Sequence, residues 1–512
     1  MTRRRRFAGV PISKENAVMK RTFSAVTAVL LALVMVLPAA AVGPIVPNPD
    51  AVASRAIVID ALYRREYKPE AATEDFDDSS VQWYADAAAW GRTVGIVNGD
   101  GNGNFSGDRA VTRAELAAML YRYAQYKGVD VSEGEDTNIL DYEDVFDCPE
   151  WSIPAFQWSV TIPIWEEGGL LLPNETLTCS ELTHILENFT HGTALPSWTA
   201  DAKAKKALVD YVIGATDPSE PTFIPVEDRI AVFDLDGTLF CETDPNYFDY
   251  TLLKYRVLED PDYKDKASDF EKEVANKIKE QNETGASFSG LEVDHGKAVS
   301  TAFAGMTIDE FNAYIQEFKK QEMPSYDGMK RGEGFYKPMV EVVEYLQLNG
   351  FTVYVVSGTD RLIVRGILWD NVLNIPNRQI IGSDEIIVSD NQNGADGLNY
   401  VFAEGDRLIL GGEFIIKNLK MNKVSVIMQE IGQQPVLSFG NSTGDSSMAE
   451  YVTSGNKYPT LAFMLCCDDL ARENGNESKA QKMFDLCEEF DWVPVSMKND
   501  WTTIYGDGVT KK

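Results

Sequence analysis

Histidine and cysteine are scarce in this sequence of 512 residues. The three histidines, His184, His191 and His295, lie far apart in the chain, which argues against a multi-histidine zinc site and a Ser-His-Asp triad. Six cysteines are too few for a disulfide-stapled scaffold, although Cys148 and Cys179 lie in one module and could pair. Catalysis in this chain would therefore depend on carboxylates.

Basic residues are also few, because 47 lysines and arginines face 79 aspartates and glutamates, for a formal net charge of −32. Seven of those basic residues lie within residues 1–41, so the rest of the chain is more acidic still. Binding to a phosphate backbone needs clustered Lys and Arg, and no basic stripe follows residue 41. The composition thus excludes nucleic acid as a partner.

Glycine and proline are not abundant either, with 38 and 22 residues, while 44% of the chain is apolar and 11% aromatic. Disordered and collagen-like classes are excluded by these values. A chain of this length and composition predicts two or three globular domains.

A single long apolar run occurs, at Phe23–Leu37, after Lys20 and Arg21 and before small residues that end at Ala41. Its 15 residues are shorter than the roughly 20 needed to span a bilayer, and the pattern is typical of a signal peptide. We therefore expect residues 1–41 to be a signal peptide and the mature protein to be secreted, with no stable membrane span after cleavage. An uncleaved membrane anchor is the alternative.

Residues 46–195 contain an internal repeat. A pair of tryptophans separated by six residues, Trp83 and Trp90, recurs as Trp151 and Trp158. Each pair is followed by a Gly-containing loop and then by a Thr-x-x-Glu sequence that predicts a capped helix. A third, truncated copy at 54–64 matches only the second half of the unit.

These units resemble S-layer homology repeats, through the sequences FDD, WYADAAAW, GIVNGDGNGNF and VTRAEL. The resemblance implies non-covalent binding to cell-wall polysaccharide and assigns wall-binding roles to Trp83, Arg113 and Glu115. The first copy departs from the pattern with Ile57 in place of the glutamate, and the last has Cys179 in place of the arginine. The alternative is a helical stalk whose tryptophans and caps are purely structural.

A connector, residues 196–225, precedes a region of alternating strand-like and helix-like runs from residue 226 to the end. The first strand-like run, RIAVFDLDGTL, ends in Asp234, Asp236 and Gly237. Two residues apart at the end of a strand, the aspartates point to the same side, and like charges this close favour a cation. The glycine permits a sharp turn out of the sheet.

Two later strand-like runs also end in polar residues. FTVYVVSGTD ends in Ser357 and Gly358, and QPVLSFGNSTGD ends in Asn441 and Asp445, while Lys423 lies in the amphipathic stretch before the last strand. Reactive groups in an open α/β sheet gather beyond the carboxyl ends of its strands. The sequence thus predicts a site built from acids, a hydroxyl and a lysine.

The four motifs in this order resemble the haloacid dehalogenase-like hydrolases, in particular their phosphoserine-phosphatase-like branch. The resemblance covers residues 226–512 and implies a Rossmann-like parallel sheet core with a helical cap inserted at about 243–340. With the repeats, the expected fold class is α/β, preceded by a mainly α-helical region. The motifs assign Asp234 as the nucleophile and Asp236 as the general acid and base.

The resemblance also implies the remaining site residues. Ser357 would hold a phosphoryl oxygen, and Lys423 would neutralise phosphate and nucleophile together. Phosphate contacts are implied for Gly237, Thr238, Gly358, Thr359 and Asn441. The implied cofactor is Mg²⁺, with ligands from the phosphate, Asp234, the carbonyl of Asp236, and Asn441 and Asp445 of the last motif.

Two of these assignments leave alternatives open. Asn441 stands where many relatives have an aspartate, which predicts weaker metal binding without loss of activity. Lys417 and Lys420 are rivals of Lys423, which fits the family spacing better.

The predicted cap implies a small, soluble substrate, because a macromolecule would be blocked. Specificity is expected from Tyr247, Phe248, Tyr250 and the segment 292–295, where aromatics beside acids could accept a cationic head such as choline. Packing of the cap against the core is the alternative explanation for these residues. Phosphocholine, phosphoserine and other monoesters all remain open.

These features together predict a secreted, cell-wall-associated, Mg²⁺-dependent phosphatase of the bacterial surface. Its partners would be a small phosphorylated metabolite and, through the repeats, cell-wall polysaccharide. The alternatives are a glycan-binding surface protein with an idle hydrolase domain, and a phosphotransferase.

Overall fold

The computed structural model describes residues 48–69, 76–80, 82–162, 164–165, 169–370 and 372–512. The predicted signal peptide, residues 1–41, lies outside them. Among the described residues, no helix has the length and apolar character needed to cross a membrane. All six cysteines are described and all are free thiols, so the alternative of a disulfide between Cys148 and Cys179 is not realised.

The repeat region is helical. The described part of this region contains five α-helices: α1 (Arg55–Arg65), α2 (Ala85–Thr93), α3 (Arg113–Tyr126), α4 (Ile153–Ser159) and α5 (Cys179–Gly192). Three of them begin at a hydroxyl cap, because Ser54, Thr112 and Thr178 each accept a hydrogen bond from a backbone amide of the first turn. A cap of this kind contributes about 1 kcal/mol to a helix.

The same carboxylate contact holds the loop of both complete repeats. Asp78 accepts hydrogen bonds from the amides of residues 105 and 106, both at 2.7 Å. Asp144 accepts from the amides of residues 171 and 172 at 2.8 and 2.7 Å. Each carboxylate thus ties the start of its unit to the loop that precedes the next capped helix.

The three repeat units contact one another through the segments just before α1, α3 and α5. Isolated backbone bridges join Ser54 to Ala110, Val52 to Thr178, and Thr112 to Thr176. The truncated first copy therefore takes part in the same assembly as the two complete ones.

A seven-stranded sheet forms the second part of the chain, within the residues that the structure describes. Its strands are β1 (Ile230–Phe233), β3 (Thr352–Asp360), β4 (Ile380–Ser389), β5 (Leu408–Ile416), β6 (Leu437–Gly440), β7 (Leu461–Cys466) and β8 (Val493–Ser496). Their order is β5-β4-β3-β1-β6-β7-β8, and every pair is parallel except β4 with β5. A separate antiparallel pair joins β2 (Tyr326–Asp327) and β9 (Thr510–Lys511).

Four of the helices between β1 and β3 form the cap. They are α7 (Phe248–Leu258), α8 (Asp269–Thr284), α9 (Leu291–Ala302) and α10 (Ile308–Lys319). The remaining helices are α6 (Lys203–Thr216), α11 (Lys337–Leu348), α12 (Arg361–Ile367), α13 (Met421–Val426), α14 (Ser446–Thr453) and α15 (Glu477–Phe490). This arrangement confirms the predicted fold class.

The cap is docked on the antiparallel strand β5. Backbone hydrogen bonds of 2.8 and 2.9 Å link Gly305 and Met306 to Leu410. Gly296 of α9 lies against the ring of Phe414, where an added Cβ would come within 2.5 Å of the ring. The hairpin of β4 and β5 therefore fixes one side of the cap.

The predicted connector, residues 196–225, contains helix α6. Its Leu208 and Val212 belong to the same buried cluster as strand β1. Trp198 packs edge-on against Trp501 near the C-terminus, with ring centroids 5.9 Å apart. The segment is thus part of the core of the sheet-containing region.

The repeat region contacts helix α11 directly. Tyr67 donates a hydrogen bond to Gln347 at 2.6 Å, and Lys127 forms an ion pair with Glu344 at 3.4 Å. His191 and Tyr345 are hydrogen-bonded at 2.8 Å. The two parts of the chain therefore share a polar junction along one helix.

Candidate active site

Strand β1 ends in the centre of the sheet, where its neighbours β3 and β6 also end. All four residues of β1 are buried, and the amide of Asp234 continues the ladder by donating to the Phe439 carbonyl at 2.9 Å. Gly237 then adopts a φ of +78°, and a Cβ there would lie 1.9 Å from Asn441 Nδ2. Glycine is required at this turn for both its backbone angle and the close approach.

Lys423, at the third position of α13, lies between two carboxylates. Its Nζ donates to Asp234 Oδ1 and to Asp445 Oδ1, both at 2.6 Å, and the lysine is only 1% exposed. Burial alone would lower the pKa of Lys423, but the two acids outweigh it and raise the pKa. The lysine is therefore charged, and it holds two of the predicted acids together.

Burial is the largest influence on the pKa values of Asp234 and Asp236, the two aspartates that follow β1. It raises the pKa of Asp234 to about 7, with the Asp445 carboxylate adding to the effect and Lys423 opposing it. It also raises the pKa of Asp236 well above its ordinary value, with further increases from Asp249 and Asp234. Burial thus shifts Asp236 towards its protonated form.

Asp445 also organises the loop after β6. Its Oδ2 accepts hydrogen bonds from the amides of Asn441 and Ser442 and from the Ser442 hydroxyl, at 3.1–3.2 Å. Because Oδ1 accepts from Lys423, both oxygens of Asp445 are engaged. In this conformation Asp445 fixes the lysine and the loop, and its role as a metal ligand remains a prediction.

The residues at the end of β3 differ in their exposure to the site. Thr359 Oγ1 donates to Asp236 Oδ2 at 2.7 Å, so this hydroxyl orients the predicted general acid. Ser357 is fully buried, and its Oγ accepts from the Thr359 amide at 3.0 Å. Gly358 and Thr359 line the cavity, whereas Ser357 lies behind them.

The amides of Gly237 and Thr238 are used within the turn itself. They donate to the carbonyl oxygens of Phe240 and Leu235, at 2.7 and 3.1 Å. Thr238 is fully buried and lies outside the cavity lining. In this conformation neither amide is free for the phosphate contact that the motif implied.

A cavity of about 270 Å³ opens between the cap and the carboxyl ends of the strands. Its core side is formed by residues of the predicted motifs: Asp234, Asp236, Gly358, Thr359, Asn441 and Asp445. Its cap side carries Glu242, Tyr247, Asp249, Tyr250 and Glu292. A volume of this size suits a small ligand.

The three rival lysines have different surroundings. Lys423 contacts both acids from beneath the cavity, whereas Lys417 lines the cavity itself. Lys420 is exposed, and its amide donates to the Gly444 carbonyl. The geometry thus gives Lys423 the contact with Asp234 that the motif implied.

The oxygen atoms that line this part of the cavity are suitable ligands for a hard cation such as Mg²⁺. Asp236 Oδ1 is buried and has no hydrogen-bond partner among the described residues. The side chain of Asn441 lines the cavity and makes no hydrogen bond within the same residues. Carboxylate, carbonyl and amide oxygens are the ligands that Mg²⁺ prefers, and Asp234, the Asp236 carbonyl and Asn441 offer one of each, although no group of three or more His, Cys, Asp or Glu with metal-site geometry occurs in the described chain.

Two buried residues of the cap were not assigned individually from the sequence. Asp249 was not predicted at all, and His295 was included only as part of the segment 292–295. Asp249, on α7, is 2% exposed and lines the cavity, and its Oδ2 lies 3.8 Å from His295 Nδ1. Burial lowers the pKa of His295 to about 4, so the ring is neutral at pH 7. No motif marks Asp249, because its position depends on how the cap folds over the sheet.

The predicted wall-binding residues lie in the repeat region with different degrees of exposure. Trp83 is 61% exposed, and Trp151, its counterpart in the next repeat, is 53% exposed. Arg113 lies over the Trp165 ring at 4.5 Å. Glu115 completes the cap of α3 and forms an ion pair with Arg55 at 2.9 Å.

Comparison with known protein families identifies one part of the chain. Residues 77–117 match the S-layer homology domain. This confirms the resemblance of the repeats in the unit that contains Trp83, Arg113 and Glu115. No curated protein sequence matches the chain.

Several solved structures are similar to the chain at low identity. A functionally unknown protein from Anaerococcus prevotii DSM 20548 is 14% identical over 57% of this chain and 91% of that one, with a TM-score of 0.37. Cytosolic 5'-nucleotidase IIIB bound to cytidine is 13% identical over 58% and 86%, with a TM-score of 0.36. A phosphoserine phosphohydrolase-like protein from Francisella tularensis subsp. tularensis SCHU S4 is 17% identical over 53% and 95%, with a TM-score of 0.29. Likeness at this level is too distant to assign an activity.

Proposed function

We propose that this protein is a secreted, cell-wall-associated, Mg²⁺-dependent phosphatase that hydrolyses small phosphate monoesters through an aspartyl-phosphate intermediate. The observation that carries the proposal is the arrangement beyond β1. There Lys423 bridges the Asp234 and Asp445 carboxylates at 2.6 Å, and Asp236 lies beside them under the cap. A phosphate dianion repels an anionic nucleophile, so a buried cation beside the attacking carboxylate lowers the barrier.

Asp234 is the nucleophile of the proposed reaction. Lys423 holds its Oδ1, which leaves Oδ2 to attack phosphorus in line with the departing alcohol. Attack forms the aspartyl-phosphate and releases the alcohol; water then cleaves the new P–O bond and restores the carboxylate. The lysine also neutralises the charge that develops on the phosphoryl oxygens.

Asp236 supplies and later removes the proton. Burial shifts its pKa upwards, towards the protonated form that the first step requires, and Thr359 holds Oδ2, so Oδ1 is the oxygen left to donate to the alkoxide. Once ionised, the same carboxylate takes a proton from the hydrolytic water. An alkoxide needs this proton and a halide does not, which favours phosphate-ester chemistry over dehalogenation.

The groups that would hold Mg²⁺ are the Asp234 carboxylate, the main-chain carbonyl of Asp236 and the Asn441 side chain, with Asp445 supporting the Asn441 loop. When bound, the ion would lower the repulsion between phosphate and carboxylates and keep Asp234 ionised. The cap would exclude bulk water from the cavity during the first step.

The wall-binding part of the proposal rests on the two exposed tryptophans, Trp83 and Trp151, in a region that contains an S-layer homology domain. Exposed aromatic rings stack on sugar rings, and equivalent rings on successive repeats can bind one polysaccharide together. Secretion is part of the same proposal, because wall polysaccharide lies outside the cell membrane.

The catalytic proposal is tested with Asp234→Asn, with Asp265→Asn as a control in an exposed part of the cap. Asp234→Asn should abolish phosphate release while the circular dichroism spectrum is retained, and Asp265→Asn should match the wild type. EDTA should stop the wild-type reaction and added Mg²⁺ should restore it. Turnover by Asp234→Asn, or indifference to EDTA, would show that another group does the chemistry. Glycerol added as an acceptor separates hydrolysis from phosphotransfer.

The wall-binding proposal is tested by sedimentation with purified cell walls. The double variant Trp83→Ala/Trp151→Ala should bind at least tenfold more weakly, since a buried tryptophan contact contributes about 2 kcal/mol or more. Trp369→Ala, which removes an equally exposed tryptophan from the hydrolase region, should sediment normally. Unchanged sedimentation of the double variant would place wall binding elsewhere.

A further inference from the structure

We infer that the cap side of the cavity selects phosphate monoesters whose alcohol carries a positively charged nitrogen and no carboxylate. The inference rests on the proposed phosphatase function, and it names the substrate class of that site. It follows from the aromatic rings, carboxylates and unpaired polar atoms that the cap brings to the cavity.

Three carboxylates line the cavity apart from those of the catalytic motifs. Asp249 and Glu292 come from cap helices, and Glu242 comes from the segment that leads into the cap. Among the described lining residues the one cation is Lys417, which lowers the pKa of both Asp236 and His295, and Lys479, outside the lining, lies 3.8 Å from Glu242. The cap side of the cavity therefore carries a net negative charge. This charge faces the alcohol part of the substrate and lies away from the phosphate.

Asp249 is the most constrained of these acids. It is 2% exposed, and one of its oxygens accepts from the Tyr250 amide at 2.8 Å. The other has His295 as its nearest basic group, at 3.8 Å, which is too long for a hydrogen bond. This second oxygen makes no hydrogen bond among the described residues, and a cationic ligand in the cavity that Asp249 lines would pair with it.

Aromatic rings stand beside this acid. Tyr250 stacks on His295 with ring centroids 4.0 Å apart and an angle of 12°, and Tyr247 lies 5.6 Å from Tyr250. Burial lowers the pKa of His295 to about 4, so the stacked ring is neutral and does not repel a cation. Tyrosine faces next to carboxylates are a typical environment for an ammonium group.

The arginines of the cap are engaged elsewhere. Arg256 forms an ion pair with Asp260 at 2.7 Å, and Arg331 donates to the Asp244 carbonyl at 2.9 Å. Neither lines the cavity. Neither arginine is therefore available to a substrate carboxylate, and the acids of the cap side outnumber Lys417, so an amino acid phosphate is disfavoured relative to an amino alcohol phosphate.

The test compares kcat/KM for small monoesters of different charge. Phosphocholine and phosphoethanolamine carry a cation, glycerol 3-phosphate carries no charge on its alcohol, and phosphoserine adds a carboxylate to the cation. We expect the wild type to prefer the first two over glycerol 3-phosphate by at least tenfold, and to use phosphoserine less well than phosphoethanolamine. An equal or reversed preference would overturn the inference while leaving the phosphatase in place.

Variants attribute the preference to the cap. Glu292→Gln changes an exposed side chain and should lower the ratio of cationic to neutral kcat/KM by about tenfold, mainly through KM. Asp249→Asn should lower it at least as much, and its folding is checked by circular dichroism because the site is buried. Glu280→Gln, an exposed change on α8 outside the cavity, is the control and should keep the wild-type ratio.

The possible outcomes separate the two proposals. Phosphate release from none of the compounds would overturn both the phosphatase function and the inference. Release with a cation preference that survives in Glu292→Gln and Asp249→Asn would overturn the inference alone. A preference that falls in these variants and stays in Glu280→Gln would support it.

Discussion

Replacing Gly237 by alanine should disturb the active site through a steric contact, since glycine carries no reactive group. Its φ is +78°, which costs an L-residue roughly 1–2 kcal/mol. The new Cβ would lie 1.9 Å from Asn441 Nδ2, and such overpacking adds about 1–3 kcal/mol. The variant should therefore lose about 2–5 kcal/mol of unfolding free energy.

Gly285 provides a matched control. It has a similar φ of +74° at the end of α8, but an added Cβ there would meet nothing within 4 Å. Gly285→Ala should lose only the conformational part, roughly 1–2 kcal/mol. The difference between the two melting temperatures then measures the contact with Asn441.

The two variants should differ more strongly in activity. Because Asn441 must move to admit the methyl group, Gly237→Ala should lose about 10²-fold in kcat/KM, the usual effect of a 1 Å displacement in a catalytic site. The Mg²⁺ concentration for half-maximal activity should also rise. Gly285→Ala should keep near wild-type values for both. Equal activity in the two variants would refute the reasoning that links Gly237 to Asn441.

Two further predictions concern the repeat region and its junction. Asp78→Ala removes two charge-assisted hydrogen bonds to loop amides and should lower the free energy of unfolding by about 2–4 kcal/mol in chemical denaturation. The control Asp86→Ala, on the exposed face of α2, should change it by less than about 0.5 kcal/mol. Equal losses in the two variants would mean that the loop does not depend on the Asp78 carboxylate. Burial, followed by the charge of Arg65, lowers the pKa of His191 from 6.5 to about 4, so the unfolded chain binds its proton first and stability should fall as the pH drops from about 6.5 towards 4. His191→Gln should weaken this pH dependence and His184→Gln, at an exposed position, should preserve it.

The strand ends that carry the site residues could be predicted from the sequence, because the local sequence pattern at each of them also determines its place in the sheet. Asp234, Gly358 and Asn441 each follow a short apolar run, and parallel strands in one sheet bring such ends together. The capped helices of the repeats were equally accessible, since Thr112 and Thr178 with their glutamates form a local motif. These features depend on residues only a few positions apart.

Other features depend on contacts that span the chain. The segment between β4 and β5 carries more than one turn signal, at Asn393-Gly394 and Asp396-Gly397, so no single turn predicts the register, and the pairing is antiparallel within a parallel sheet. The hydrogen bond from Thr359 to Asp236 joins residues 123 positions apart. Asp249 and His295 meet only once the cap has folded. No pattern within a short window could have indicated these pairs.

The same distinction explains the motif residues whose position differed from expectation. Ser357 lies behind Gly358 and Thr359, and the Gly237 and Thr238 amides close their own turn. Sequence order identifies the strand end at which a residue lies, but backbone geometry decides which of three neighbours faces the cavity. The motif therefore predicted the location of the site better than the contact made by each residue.

The polar junction along α11 bears on how the proposed phosphatase would be oriented at a cell wall. Contacts from Tyr67, Lys127 and His191 attach the repeat region to one helix of the sheet-containing part at three points. A flexible linker would let the cavity take every orientation, whereas this attachment would fix its orientation relative to repeats bound to the wall. Access from the surroundings would then be limited to one side of the molecule, and lengthening the chain between the two parts would not by itself release that constraint.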